Sequence, residues 1–435
     1  MSTVCAIVPT FNRREMLGEC LFSLLVQTRP PDRILVVDDG STDGTAAFVK
    51  ERFGAAVTLL HKENGGKSSA LNHALPHCAG DYVWICDDDD IAAPDGCGLL
   101  AEALDRAGPK TAFTYGHHRI FAESEDGELA LFPPSFWPSP DEPDVRISTM
   151  EDLAAFQFAT LFRRTALMEA GPFREDLHRS QDLDMLLRIT GRRDGAYVPR
   201  TIFYQRDHAG QRGPARERAE VAQSHRKWLA ADRKFFPELA LSDRSFCPSF
   251  ARDLPPVVQQ RAAFLQRGVV FGRRGMWAEA LPALAEACLL GGLDRPLPQE
   301  ERLAARLVRH GLPADALPHR QPFRAPFSAL RSASPYAALL MQAVGTALLQ
   351  RARGAAADKR YGDAALNLRM AQAASGGRVF TRQLLAKLRG TSLTEPGQRL
   401  APHQIVLPQE REELRNLLTD ARTRLGLAPT KKATP

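Results

Sequence analysis

Two hydrophobic periods alternate over the first part of the chain. Val4 to Val8, Ile34 to Val37, Val57 to His61 and Tyr82 to Cys86 are short, β-prone apolar runs of strand length. Between the first two, Arg14 to Gln27 places Met16, Leu17, Cys20, Leu21, Leu24 and Leu25 at helical spacing. Further helices are predicted from Thr45 to Phe53 and from Ser68 to Leu75. Pro9 is expected to stop the first ladder, because it has no N–H to donate. Pro30-Pro31 closes the first helix, and Ser41 or Thr42 can cap the second. Strand, helix, strand, helix, strand, helix, strand predicts an α/β, Rossmann-like, doubly wound and mostly parallel sheet. Such sheets bind ligands outside the carboxyl ends of their strands.

Further along, residues 115–151 read as irregular. Their aromatic, proline-rich part, FPPSFWP at 132–138, suits an acceptor-binding loop or a packed surface loop. Phe158 to Gly171 predicts a strand and a short helix, and Tyr197 to Tyr204 another strand. Residues 215–236 are charged and helical, and 242–256 read as a linker. Beyond them the pattern is all-helical. Ala262 to Ala287, with Gly268, Gly275, Trp277, Leu284 and Ala287, resembles a tetratricopeptide-type hairpin, with a weaker copy from Leu348 to Ala374. A last amphipathic helix runs from Gln409 to Leu425. The expected domains are 1–240 (α/β), a linker at 241–257, a helical region at 258–426 and a flexible tail at 427–435. Every polar strand-end motif described below precedes residue 210, so a 1–250 fragment is expected to bind its ligand alone.

Composition changes this picture little. With 44% hydrophobic and 25% charged residues, the 435-residue chain is ordinary for a soluble globular protein of two or three domains. No apolar run reaches the ~20 residues of a membrane span. The N-terminus lacks a basic stretch ahead of its apolar run, so no signal peptide is expected. Seven scattered cysteines without CxxC suggest reduced thiols in a cytoplasmic protein. Charge is more informative. From residue 251 onward, 28 Lys and Arg face 14 Asp and Glu, whereas 29 face 37 before it. An acidic front half and a basic back half argue for two modules with different partners. The basic half could meet a protein partner or an anionic membrane surface, which would make the protein peripheral on the inner face of the membrane, or it could be a solvated helical surface. Nucleic acid is not expected.

The chemistry gathers at the strand ends, which hold Pro9-Thr10, Asp38-Asp39, Asn64 to Lys67 and Asp87 to Asp90. Adjacent carboxylates repel one another unless positive charge sits among them. A divalent metal carrying a nucleotide diphosphate would supply it, since hard cations take carboxylate and phosphate oxygens. A solvated acidic loop is the plainer alternative. Asp39 stands where a strand-end carboxylate can accept hydrogen bonds from a base or ribose. The chain has neither GxGxxG after its first strand nor GxxxxGK[ST], which argues against a nicotinamide dinucleotide and a P-loop. Asp182 heads a helix whose Leu183, Leu186, Leu187 and Ile189 face inward. The positive field of a helix start holds an aspartate ionised, so Asp182 is a candidate general base, or simply a helix cap.

VPTFNR, VVDDGSTDGT, ENGGKSSALNHAL and an Asp-rich strand end, in this order, resemble the family-2 inverting glycosyltransferases of GT-A fold. The resemblance covers roughly residues 3–210. It implies a hexosyl- or N-acetylhexosaminyl-transferase acting in glycan, surface polysaccharide or glycoconjugate synthesis. The donor would be a nucleotide-diphosphate sugar, UDP-sugar favoured, and the acceptor a hydroxyl on a glycan, lipid-linked or protein substrate. Pro9, Thr10 and Asp39 would line the nucleoside pocket, and Lys67 and Asn72 would approach the diphosphate or sugar. The family's DXD motif maps onto Asp87-Asp88-Asp89. Asp87 and Asp88 would then lie beside the donor, and Asp89, Asp90 and His208 would hold Mn²⁺ or Mg²⁺. Asp182 becomes the catalytic base, with Gln181 where the family often has Glu. Arg206 could balance phosphate charge. Two rivals are a sugar-nucleotide pyrophosphorylase-like enzyme, whose glycine-rich first loop PTFNRRE lacks, and a non-catalytic scaffold that binds nucleotide sugars.

Overall fold

The computed structural model describes residues 2–124, 127–133, 143–153, 155–207, 228–236, 246–290, 293–309, 324–376 and 406–427. The chain forms two compact units. The first comprises 1–137, 153–224 and 399–435, and the second 138–152 and 225–398.

The first unit is built on a nine-stranded sheet: β1 (Val4–Thr10), β2 (Arg33–Asp38), β3 (Thr58–His61), β4 (Tyr82–Ile85), β5 (Ile91–Ala92), β6 (Thr111–Glu123), β7 (Leu129–Phe132), β8 (Thr160–Arg163) and β9 (Asp194–Arg206). Their spatial order is β3-β2-β1-β4-β8-β6-β9-β5, with β7 on β6. The four predicted strands form the parallel part, β3-β2-β1-β4. The rest is mixed, because β8 enters antiparallel between β4 and β6. Helices α1 (Arg14–Leu25), α2 (Thr45–Phe53), α3 (Lys67–Ala74), α4 (Gly96–Arg106), α6 (Arg164–Ala170) and α7 (Gln181–Thr190) belong to this unit. The α/β class expected from the pattern holds.

Two expectations are corrected. Pro9 does not stop β1; it pairs in register with Val37. In β1, Thr3 and Ile7 bond toward β4, while Val4 and Thr10 bond toward β2. Pro9 therefore turns its missing N–H toward β4, which has already ended at Ile85, so no ladder bond is lost. Residues 115–123 are not irregular but belong to the long strand β6, paired with β7, β8 and β9. His117, His118 and Arg119 broke the apolar pattern there, yet all three are buried. Their partners are remote in sequence. His117 Nδ1 lies 3.2 Å from the Tyr197 hydroxyl, and the His118 ring packs on Phe156 and Phe203. Arg119 Nε donates to both oxygens of Glu410 at 3.1 Å.

The second unit holds α5 (Val145–Glu151), α8 (228–236), α9 (Pro256–Arg273), α10 (Trp277–Leu289), α11 (Pro298–Arg309), α12 (Arg324–Ser332), α13 (Pro335–Ala357) and α14 (Tyr361–Ser375). α9 and α10 pack closely, as expected for 262–287. A Cβ at Gly268 would sit 2.5 Å from Leu284, so only glycine allows this approach. Arg261 and Glu300 form a fully buried pair at 2.9 Å, with the Arg261 guanidinium over the Tyr336 ring. Replacing Arg261 with methionine is expected to cost about 3–5 kcal/mol in urea unfolding, because Glu300 is left buried and unpaired. Replacing both partners with apolar residues should recover much of that loss.

The division differs from the expected boundaries at 240 and 258. α5 belongs to the second unit, and the last helix, α15 (Pro408–Leu425), belongs to the first. The reason for the second is its apolar stripe. Leu414 and Leu418 pack with Ile91, Phe121, Leu131 and Tyr204. Ala421 and Leu425 enter the main core of the sheet. Nor is the described part of the expected linker open chain. Phe246 is buried, and Ser249–Ala251 forms a 3₁₀ turn. Residues 134–138 of the proposed acceptor loop, most of the 215–236 helix and most of the 427–435 tail lie outside the described residues.

Candidate active site

The carboxyl ends of β1, β2 and β4 and the start of α3 converge, and hydrogen bonds join them. After β1, Asn12 takes a left-handed backbone, φ 53°. Its side-chain oxygen accepts the Thr42 amide at 2.7 Å, and its own amide donates to the Ser41 hydroxyl at 2.9 Å. The loops after β1 and β2 are thus stitched together. At the end of β2, the Asp39 amide donates to the Thr10 carbonyl at 3.0 Å. The Asp39 carboxylate accepts Lys62 Nζ at 2.7 Å, the Gly65 amide at 3.0 Å and the Gly66 amide at 2.7 Å. Gly66 has φ 85°, a conformation that favours glycine and aims its amide at Asp39. Two carboxylate oxygens offer about four acceptor positions, so Asp39 keeps room for one more donor.

The acidic run forms a tight turn in which the Asp90 amide donates to the Asp87 carbonyl at 3.3 Å. Its four carboxylates divide among Lys67, Arg13 and the Arg206 amide. Asp87 accepts Lys67 Nζ. Asp88 accepts the Thr10 hydroxyl at 2.7 Å and Arg13 at 2.8 Å, and Asp89 accepts the same Arg13 nitrogen at 2.9 Å. Asp90 is turned away and accepts the Arg206 backbone amide at 2.9 Å. Burial raises the Asp88 carboxyl to about 6, with Arg13 pulling it down and Asp89 pushing it up. Burial works against the Arg13 charge, but Asp88 and Asp89 outweigh it and hold the guanidinium protonated.

Lys67 links this turn to the candidate base. Burial disfavours its charge, yet Asp87 outweighs that, and Asp182 and Asp89 add to the effect. Asp182 in turn is raised by burial and pulled back mainly by Lys67. The helix-cap reading of Asp182 is not met: Ser180 holds the N-cap position, and Asp182 Oδ1 accepts the Leu183 amide at 2.9 Å. α7 is fixed from behind. Asp184 pairs with Arg188 at 2.7 Å, and Arg188 donates to the carbonyls of Ala170, Gly171 and Pro172.

Of the residues expected at the site, Thr10, Asp39, Lys67, Asp87, Asp88, Asp89 and Asp182 come together, with Pro9 in the strand beneath them. Two do not turn toward the cluster. Asn72 spends its side chain on the loop before α7, accepting the Phe173 amide at 2.8 Å and donating to the Phe173 carbonyl and Glu175 at 2.9 Å. Asp90 serves the turn. Arg206 is not a phosphate contact either, since its side chain is buried among Glu19, Glu123 and the Asp89 carbonyl. His208 lies outside the described residues. Sequence reasoning missed Arg13 and Lys62. Arg13 stands inside the VPTFNR motif, but its partners Asp88 and Asp89 lie 75 and 76 positions away in sequence, which hid its role.

Among the described residues, no three His, Cys, Asp or Glu side chains converge as a ready-made metal site. The donor set still suits a cation that arrives with its substrate. Such an ion keeps several waters and needs only one or two carboxylates beside the phosphates. Asp88 and Asp89 present that pair, with Arg13 supplying the neutralising charge between them.

Residues 5–171 match the model of Glycosyl transferase family 2, and this stretch is a family 2 glycosyltransferase domain. Among curated relatives, an uncharacterized glycosyltransferase of Rickettsia felis is 28% identical over 187 residues, 43% of this chain and 31% of its own. Glycosyltransferase GlyA of Streptococcus pneumoniae is 37% identical over 124 residues, 28% of this chain and 18% of its own. The chain thus spans less than a third of the length of either relative. Among solved structures, S. aureus TarS 1–349 in complex with UDP-GlcNAc is 16% identical with a TM-score of 0.45, over 90% of this chain and 93% of that one. The mannosyltransferase PcManGT from Pyrobaculum calidifontis, in complex with GDP-Man and Mn²⁺, is 21% identical with a TM-score of 0.42, over 80% and 88%. At that level of likeness no ligand carries over. Among the described residues, no helix is long and apolar enough to cross a membrane.

Proposed function

We propose that this chain transfers a sugar, with inversion, from a nucleotide-diphosphate donor to an acceptor hydroxyl. The observation that carries the reading is Lys67, which bonds to Asp87 in the acidic turn and lies within electrostatic reach of Asp182. A cation held between a diphosphate-type site and a half-buried carboxylate joins leaving group and base in one geometry. The acceptor oxygen would attack the anomeric carbon from the face opposite the diphosphate. The bond from that carbon to the diphosphate oxygen would break, and the hydroxyl proton would pass to Asp182. Burial makes Asp182 more basic than an ordinary aspartate, which favours this transfer. Lys67 and Arg13 are the cations nearest the developing diphosphate charge. Asp39, with one acceptor position left, is proposed to read the nucleobase, uracil by preference.

Asp88 and Asp89 would hold a divalent cation, Mn²⁺ or Mg²⁺. When bound, that ion would neutralise the departing diphosphate. Asp89→Asn is expected to weaken UDP-sugar binding at least tenfold in Mn²⁺ and much less in EDTA, read by calorimetry. Equal affinity of the wild type with and without metal would remove the ion from this reading. The broader test is a thermal-shift screen of nucleotide sugars with and without Mn²⁺, followed by assay of nucleotide release. A protein stabilised by none of them would not be a nucleotide-sugar transferase.

A further inference from the structure

Resting on that transferase reading, we propose that Arg422, on α15 and far along the chain from every donor motif, is a positioning residue for the Asp87–Asp90 turn. The connection runs through Arg206. Its backbone amide donates to Asp90 Oδ1 at 2.9 Å, and its Nε donates to the Asp89 carbonyl at 3.0 Å. The rest of the guanidinium points the other way. Nη1 donates to Glu123 at 3.0 Å and Nη2 to Glu19. Arg422 grips the same two carboxylates from the far side. Its Nε donates to Glu19 Oε1 at 2.6 Å, and its two terminal nitrogens donate to Glu123 Oε1 and Oε2 at 2.7 Å.

Two guanidinium groups and two carboxylates are therefore joined in one network among the described residues. Glu19 is 2% exposed and Arg206 4%. In such surroundings an uncompensated charge is expensive, and each bond depends on its neighbours. Without Arg422, Glu19 and Glu123 both lose a cation that they share with Arg206. The contact that can yield is Nε to the Asp89 carbonyl, because the Glu19 and Glu123 bonds are charge-assisted and that one has a neutral acceptor. Glu19 also lies on α1, the helix that follows Arg13, whose guanidinium holds Asp88 and Asp89. A shift of Glu19 would thus reach the turn by a second route. Arg422 would set the carboxylates of the donor site without touching donor or metal.

The test uses the full chain with Arg422→Met, which keeps the stem and removes the charge. Two readouts are taken well below the melting temperature: amide hydrogen exchange of the peptide spanning 86–92, and Mn²⁺-dependent UDP affinity by calorimetry. Faster exchange in the turn and affinity lower by roughly three- to thirtyfold are expected. Arg422→Lys should recover part of both, because it restores charge but not the paired geometry. Glu410→Gln loosens α15 at its other end, at Arg119, and should leave exchange in the turn unchanged. A folded Arg422→Met protein with wild-type exchange in 86–92 would overturn the inference. If Arg422→Met does not fold, Arg422→Lys decides in its place, and unchanged turn exchange there overturns it equally. A wild type that binds no UDP in Mn²⁺ would sink the transferase reading instead, while the exchange result still decides the role of Arg422.

Discussion

Replacing Asp182 with asparagine is expected to lower turnover about 10²–10⁴-fold, the usual cost of losing a general base. Donor affinity should stay within about twofold, because the residues placed around the donor are Thr10, Asp39, Lys67 and the Asp87–Asp89 carboxylates. Folding should change little. Asparagine keeps the size of the side chain, and its oxygen can still accept the Leu183 amide. The pH profile gives a second reading. A protonated Asp182 cannot take a proton, so turnover should fall on the acid side, with its midpoint above the ordinary aspartate range because burial raises this group. In the asparagine variant that acid limb should vanish. Wild-type turnover in Asp182→Asn would place the base elsewhere. Asp184 would not inherit the role, since it is buried and paired with Arg188. Gln181→Glu, which puts back the acidic pair common in the family, should be tolerated.

Ending the chain after residue 405 is expected to abolish stable folding of the first unit. That deletion removes Leu414, Leu418 and Leu425, each nearly fully buried. At about 1.5–3 kcal/mol per leucine, the loss is roughly 5–9 kcal/mol, comparable with the whole stability of a typical domain. It also strips Glu19 and Glu123 of Arg422, and Arg119 of Glu410. The expected measurement is loss of cooperative melting, or insolubility on expression. A 1–250 fragment should fail for the same reason, contrary to what the position of the motifs suggests. A 1–405 protein that melts cooperatively at the wild-type temperature would show that α15 is dispensable.

What could be read in the sequence was local. β1, β2 and β4 carry continuous apolar runs, because parallel strands covered on both faces need no alternation. The strand-end motifs are short and contiguous, so Thr10, Asp39, Lys67 and Asp87 to Asp89 could be named from their order alone. What stayed hidden depended on distance along the chain. β6 reads as polar because His117, His118 and Arg119 are satisfied by Tyr197, aromatic rings and Glu410, none of them near in sequence. Asn72 lies in a motif but bonds to Phe173, one hundred and one positions away. Arg206 read as a phosphate contact because its buried carboxylates, Glu19 and Glu123, cannot be seen from an Arg-Asp pair. The amphipathic pattern of α15 was plain, but nothing in it says which body it covers.

That helix also has a meaning for synthesis. The larger part of the second unit, 225–398, lies in sequence between two parts of the first, so the ribosome completes it before α15 appears. At about 5–20 residues per second, the interval from Arg206 to Leu425 is roughly 10–40 s. During that time Ile91, Phe121 and Leu131 lack Leu414 and Leu418, and Glu19 and Glu123 lack Arg422. A nascent chain in that state offers an apolar patch to chaperones and an open site to proteases. The first unit, begun before the second, is therefore completed after it.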